Sequence, residues 1–245
     1  MTKQEFFLAC EDSFSKNGIS VYATPENLKK FYDLTVFMLE TNQKMNLTAL
    51  RDENSVITRH ITDCLLAAKH LPQEKIKVLD VGSGGGMPCL PFAIVRPDIT
   101  ITALDATAKK TAYIASAAEH LGLSNVRILT GRAEELGQNA QHREKFDVVC
   151  ARAVAELRIL MEWCVPFIKK DGLFLSLKGK NAESELKSAE NAAKKLHCSL
   201  LLDECITLRE TETECSERHN FVFKKTKNTD KTYPRRNAQI TKNPL

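Results

Sequence analysis

The sequence predicts an α/β fold built on a mostly parallel sheet of seven strands. Two observations lead there. From residue 76 onward, short apolar runs alternate with amphipathic stretches of helical length, the pattern of strands joined by helical crossovers. One of those runs, Lys77-Val-Leu-Asp80-Val-Gly82, ends in a carboxylate and opens into Ser-Gly84-Gly-Gly86-Met87-Pro88. That is a buried strand running into a glycine-rich turn and then a helix. Glycine there permits positive φ and lets a ligand lie against bare backbone. The helix that follows aims its free N–H groups at whatever fills the turn.

The chain opens with three predicted helices, at 3–16, 25–43 and 53–71. Phe6, Phe7, Cys10 and Phe14 recur at helical spacing, as do Leu28, Phe31, Tyr32, Thr35, Phe37 and Leu39. Thr24-Pro25 supplies an N-cap and a first helical position, and Asp52 or Asn54 caps the third helix. In that helix Val56, Ile57, His60, Ile61, Cys64, Leu65 and Ala68 point inward, while Arg59 and Asp63 form an i,i+4 pair. Lys44 to Arg51 reads as a structured loop anchored by Leu47 and Leu50. Strands are predicted at 76–82, 100–105, 125–129, 146–151, 172–177, 199–208 and 218–225, with helices at 88–95, 107–121, 156–169 and 182–196. The organisation is an N-terminal helical extension (1–72), a core (73–225) and a basic C-terminal tail (226–245).

Composition bounds the class. With 245 residues, 43% hydrophobic and 27% charged, the chain is one ordinary globular domain with a helical extension. No apolar run is long enough to span a membrane, and Lys3, Glu5 and Glu11 rule out a signal peptide. The eight cysteines form no C-x-x-C; Cys64, Cys89, Cys150 and Cys164 sit inside apolar runs and read as core residues of a reducing cytoplasm. His197, Cys198, Cys205, Cys215 and His219 match no common zinc spacing, so no metal is expected. The net charge of +4 belongs to the end of the chain: residues 224–245 hold seven basic side chains and one acid. Such an arm, with Tyr233, Pro234 and Pro244, suits a polyanion, most simply nucleic acid, or is a solvated terminus. About six phosphates neutralised imply a log–log salt slope of roughly −4 to −5.

The strand tips carry the chemistry, because in open parallel sheets the carboxyl edge holds the ligand. Gly82 and Gly84 fit the dinucleotide fingerprint G-x-G-x-x-G, but its third position is Met87, which disfavours a nicotinamide oxidoreductase. No G-x-x-x-x-G-K-[ST] occurs, which excludes an NTP P-loop. Asp105 ends the second strand 23 residues after Gly82, where a carboxylate accepts from both ribose hydroxyls or caps the next helix. Arg132-Ala133-Glu134 follows strand three: a backbone N–H and a carboxylate suited to an adenine edge, or a favourable first helical turn. Arg152, at the tip of strand four, is costly unless paired, either with a ligand or with Asp80 or another carboxylate.

With these residues in view, the sequence resembles the bacterial small-subunit (16S) ribosomal RNA guanine-N7 methyltransferase family, also called glucose-inhibited division protein B, over nearly the whole chain. The shared pieces are Asn46-Leu-Thr48, Arg59-His60-x-x-Asp63, Asp80-Val-Gly82-Ser-Gly84-Gly-Gly86-Met-Pro88, Asp105-x-x-x-Lys109-Lys110, Arg132-Ala133-Glu134, Phe146-Asp147-Val-Val-x-Ala-Arg152-Ala153-Val-Ala, Leu177-Lys178-Gly179 and the basic Tyr233-Pro234-Arg235 ending. Departures are Cys89 where the family usually has Gly, Cys64 where it has Ser, and Ala106 where Ser is frequent. Cys89 is the one with the reach to crowd the turn.

The resemblance implies a Rossmann-like class I fold and S-adenosyl-L-methionine as cofactor. It places that cofactor on the glycine motif (Asp80, Gly82, Gly84, Gly86, Met87) and on Ala133, Glu134 and Arg152, with Asp105 on the ribose by analogy with the wider class. It implies methyl transfer to N7 of a guanine in small-subunit ribosomal RNA, free or in the assembled subunit, with Arg152 orienting. Lys109, Lys110, Lys178, Arg235 and Arg236 are candidates for holding RNA phosphate. The expected enzyme is a cytoplasmic monomer without metal or membrane. Two rival readings remain: a methyltransferase of the same fold acting on a protein or small molecule, and a non-catalytic RNA- or ribosome-binding protein.

Overall fold

A computed structural model describes residues 1–152 and 154–245; Ala153, within the motif after strand four, lies outside the described residues. Seven strands form one sheet: β1 Lys77–Val81, β2 Thr100–Asp105, β3 Val126–Thr130, β4 Phe146–Arg152, β5 Ile168–Lys178, β6 Cys198–Arg209 and β7 Cys215–Lys225. Their spatial order is β3-β2-β1-β4-β5-β7-β6. The first five are parallel, and β7 pairs antiparallel with both β5 and β6. Strand order reverses between β1 and β4, and at such a switch point a crevice opens beyond the carboxyl ends.

Helices α1 Lys3–Lys16 and α2 Pro25–Asn42 begin as their sequences predict. Thr2 and Glu5 form a reciprocal capping box, and the Thr24 hydroxyl accepts from the Asn27 N–H ahead of Pro25. The buried stripe of α2 is Leu28, Phe31, Leu34, Thr35 and Met38; Tyr32, Phe37 and Leu39 are only partly buried. Asp52, not Asn54, caps the third helix. That helix is not uniform. It runs as α3 Glu53–Val56, a π-helical segment Ile57–Thr62 and α4 Asp63–Ala68. The i→i+5 bonding of a π turn changes which side chains share a face. The expected Arg59–Asp63 pair is accordingly absent: Arg59 reaches Glu210 at 2.6 Å, and Asp63 turns to Arg152 and Arg218.

After the glycine turn come α5 Cys89–Val95, α6 Ala108–His120, the short α7 Ala133–Leu136, α8 Leu157–Cys164, α9 Ala182–Ser188, α10 Glu190–Lys195 and α11 Asn237–Lys242. Helix α8 stops earlier than predicted because Pro166 has no N–H to donate to the Glu162 carbonyl; Val165–Phe167 form a 3-10 turn around it. Strand β5 starts earlier than predicted because Ile168 pairs with Phe146. The helix expected at 182–196 is two, divided at Ala189.

Two apolar clusters flank the sheet. One runs without a break from Phe6, Phe14 and Phe31 through Ile61 and Leu65 to Val78 and Ile101, so the N-terminal helices share the core of the sheet. Each such large side chain contributes roughly 1.5–3 kcal/mol by burial. The other joins Leu79 and Val149 to Leu157, Leu160, Phe174 and Phe221. Leu245 is buried in this second cluster and Tyr233 packs against it, so the C-terminal segment is folded onto α8.

Candidate active site

The cleft at the switch point has two parts that meet at Arg152 and Val154. The first lies over the tips of β1, β2 and β3. Its floor is the glycine turn, tied down by Gly82 N and Ser83 N donating to the Leu104 carbonyl at 2.8 and 3.0 Å, and by Ser83 Oγ donating to the Asp80 carbonyl at 2.8 Å. Gly82, Gly84 and Gly86 have φ of +74°, +55° and +83°. A Cβ at Gly82 would stand 2.7 Å from Val154 Cγ2, and one at Gly86 2.5 Å from Leu90 Cδ1. The turn therefore needs glycine both for backbone conformation and for space.

Asp105 is buried at the rim, with Oδ2 accepting from Gly84 N at 3.0 Å and Oδ1 from Thr107 N at 2.8 Å. It thus orders both the turn and the approach to α6, whose N-cap is Thr107. Gly82, Gly84, Met87, Asp105, Ala133 and Glu134 all line this part of the cleft. Asp80 and Gly86 shape it from behind. Asp80 is fully buried, its Oδ2 accepting from Cys89 N at 3.1 Å while Oδ1 has no partner among the described residues, and burial pushes its carboxyl up to about 7. Cys89 is itself fully buried in the core, behind the turn and not in it.

The second part, ≈ 500 Å³, lies beyond the tips of β4, β5 and β7. Charged side chains from distant stretches build it. Arg152 Nη1 donates to Asp63 Oδ2 at 2.7 Å, and Arg218 Nε to Asp63 Oδ1 at 2.9 Å. Arg152 Nη2 also lies 3.0 Å from His60 Nδ1. The same Nδ1 lies 3.0 Å from the Arg59 carbonyl, and Nε2 lies 2.8 Å from Thr48 Oγ1. Burial, with the Arg152 cation, lowers His60 to about 4, which keeps the ring neutral. Thr48 is held in its turn by the Asn42 amide, which accepts from Leu47 N and Thr48 N and donates to the carbonyls of Thr48 and Leu50. The polar loop 44–51 and the Arg-His-x-x-Asp motif so converge on Arg152. Arg218 and Asn220, which sequence reasoning missed, complete this wall; nothing local marks two residues of a long edge hairpin as belonging to a cleft.

The predicted RNA contacts divide. Lys109 and Lys110 stand at the start of α6, without an ion pair among the described residues, with Lys110 on the cleft. Lys178 is buried, donating to the Ala155 carbonyl and pairing with Glu185 at 2.7 Å. Arg235 is committed to the fully buried Glu162 at 2.7 Å, while Arg236 is exposed. Lys224 and Lys225 pair with Asp171 and Glu144. Of the cysteine–histidine set at the end of the chain, Cys205 and His219 come together with Glu217, their ligating atoms within 4.8 Å; both His219 nitrogens already face carboxylates, Asp203 and Glu217, at 3.2 Å. Among the described residues no helix is long and apolar enough to cross a membrane.

Comparison with known proteins adds to this geometry. The family description rRNA small subunit methyltransferase G (GidB) matches residues 26–211. A protein named ribosomal RNA small subunit methyltransferase G from Thermoanaerobacter sp. (strain X514) is 38% identical over 223 residues, covering 90% of each chain. One of the same name from Listeria monocytogenes serotype 4b (strain CLIP80459) is 39% identical, covering 96% of this chain and 97% of its own. Among solved structures, M. jannaschii TYW2 in complex with AdoMet superposes with a TM-score of 0.53 at 15% identity, over 68% of this chain and 76% of that one. The [4+2]-cyclase SpnF superposes at 0.56 and 17% identity, over 83% and 96%, so the fold alone does not select the reaction. The glycine floor and the ribose-height carboxylate suit an adenosine-bearing cofactor, and the chain belongs to the rRNA small subunit methyltransferase G (GidB) family, with S-adenosylmethionine as its cofactor.

Proposed function

We propose that this protein transfers the methyl group of S-adenosylmethionine to N7 of a guanine in small-subunit ribosomal RNA, as a cytoplasmic monomer. The observation that carries the reading is the joining of the two cavities at Arg152: a glycine-floored cofactor cleft opens beside a cation-walled cavity at the tips of β4 and β5. Family membership and the names of the relatives support RNA as the substrate.

The chemistry asks little of side chains. Guanine N7 carries a bare lone pair, so no proton need leave before attack and no general base is required. Among the described residues His60 is the one imidazole on the cleft, and it fits that requirement, being neutral and bonded on both nitrogens. The cofactor supplies an electrophilic methyl on sulfur. Gly82, Gly84, Met87 and Asp105 bind and orient it, and Arg152, fixed by Asp63 and His60, positions groups at the junction. Holding reactants in line contributes roughly 7–11 kcal/mol to such a displacement. The N7 edge is unreadable in the deep groove of A-form RNA, so the target base sits in a loop or is splayed from its stack. Exposed Lys109, Arg236, Lys227, Lys231 and Lys242 carry the charge to meet phosphate.

The test is transfer of labelled methyl to purified small subunits, to their RNA, and to protein and small-molecule extracts in parallel, with Gly84→Asp as control. N7-methylguanine in ribosomal RNA, lost in the variant, is the expected result. Cofactor binding with label elsewhere would move the substrate to a protein or small molecule, and binding of RNA without any label would leave a non-catalytic RNA-binding protein.

A further inference from the structure

The C-terminal segment enters the cofactor cleft. Glu162 on α8, fully buried, accepts from the backbone N, Nε and Nη2 of Arg235 at 2.9, 2.8 and 2.7 Å. Arg143 adds bonds to the carbonyls of Thr229, Asp230 and Tyr233. This clamp sets two neighbours in one cavity. Trp163, the only tryptophan of the chain, follows Glu162; Asn237 lies two residues after Arg235. Both line the part of the cleft bounded by Asp105, Ala106, Ala133 and Glu134.

Two of their atoms are unpartnered. Trp163 Nε1 and Asn237 Oδ1 are both buried and make no hydrogen bond among the described residues. Buried polar atoms of this kind cost stability, and a ligand that completes their bonding recovers it. Trp163 Nε1 can only donate and Asn237 Oδ1 can only accept. A purine edge with an acceptor beside a donor complements them. Adenine has that edge: N7 accepts and the 6-amino group donates. Ala133 and Glu134, at the start of α7, offer an N–H and a carboxylate to the other edge of the same base.

We propose that Trp163 and Asn237 hold the cofactor's adenine by its N7 and 6-amino edge, so that the C-terminal segment is a wall of the cofactor site. This does not depend on which substrate receives the methyl group.

The test uses calorimetric binding to the full-length protein of S-adenosylhomocysteine and of its 7-deaza analogue, in which N7 is a C–H. The wild type is expected to prefer the natural ligand roughly two- to twelve-fold, the span of one hydrogen bond. Trp163→Phe removes the donor and is expected to bind both ligands alike. Asn237→Leu is expected to weaken S-adenosylhomocysteine by a similar factor with an unchanged melting temperature of the free protein. Amide exchange over residues 235–242 is expected to slow when the ligand binds. Equal wild-type affinity for the two ligands, a preference retained in Trp163→Phe, or unaltered exchange at 235–242 would each overturn the proposal. Should Trp163→Phe fail to fold, the wild-type ligand pair and Asn237→Leu decide it.

Discussion

The two halves of the cleft are built from different materials. Over β1, β2 and β3 the walls are backbone: glycines at positive φ and a carboxylate spent on nearby N–H groups. Over β4, β5 and β7 the walls are charged side chains paired across the chain, with Asp63 joined to residues 89 and 155 positions away. A site made of backbone tolerates no added atom, whereas a site made of ion pairs tolerates atoms but not the loss of a charge.

The sharpest break of that contrast is at the glycine floor. Gly82→Val puts a side chain where Val154 already stands, at a backbone φ of +74°. We expect cofactor binding to fall beyond detection, with a loss of stability of about 2–4 kcal/mol; calorimetry and thermal melting check both. Retained binding would mean that the Val154 segment, not the turn, yields.

Behind that floor, Asp80 makes a pH prediction. Its carboxyl is raised, chiefly by burial, to about 7 in the folded protein. Between about pH 4 and 7 the folded state therefore keeps a proton that the unfolded chain has released, so stability falls as pH rises through this window and levels above it. The span is up to about 4 kcal/mol. Denaturant titrations across that range are expected to show the decline in the wild type and to lose it in Asp80→Asn.

In the charged half, Asp63→Asn leaves Arg152 and Arg218 without their shared carboxylate. All three side chains are mostly but not fully buried, so we expect a cost of about 2–3 kcal/mol. Methyl transfer to RNA should fall roughly tenfold or more. Cofactor affinity should fall less, because of Asp63, Arg152 and Arg218 only Arg152 reaches the backbone half. An equal loss in both would show that the halves are coupled through Arg152.

The smallest effect concerns salt. Lys224, Lys225 and Arg235 are spent on Asp171, Glu144 and Glu162. Four cations of the C-terminal segment remain, Lys227, Lys231, Arg236 and Lys242, and four phosphates give a log–log slope of roughly −3 in place of −4 to −5. Truncation of that segment should flatten the slope and, by the Trp163–Asn237 proposal, weaken the cofactor as well.

What the sequence by itself determined is the part of this protein whose causes are local. Alternating periodicity specifies strand or helix over a few residues, Thr24-Pro25 and Asp52 start helices by bonds three residues long, and Gly82-x-Gly84-x-Gly86 declares a turn that only glycine can make. The parallel sheet and the cofactor floor followed from those. Only the tertiary structure decided which charges meet. An arginine at a strand tip reads the same whether it faces a ligand or Asp63, and a basic tail reads the same whether it trails in solvent or buries Arg235 on Glu162. Such pairs join residues 73 to 155 apart. Their partners are chosen by strand order, by the π turn that re-aims Asp63 and by the packing of α8, none of which leaves a trace in the neighbouring sequence.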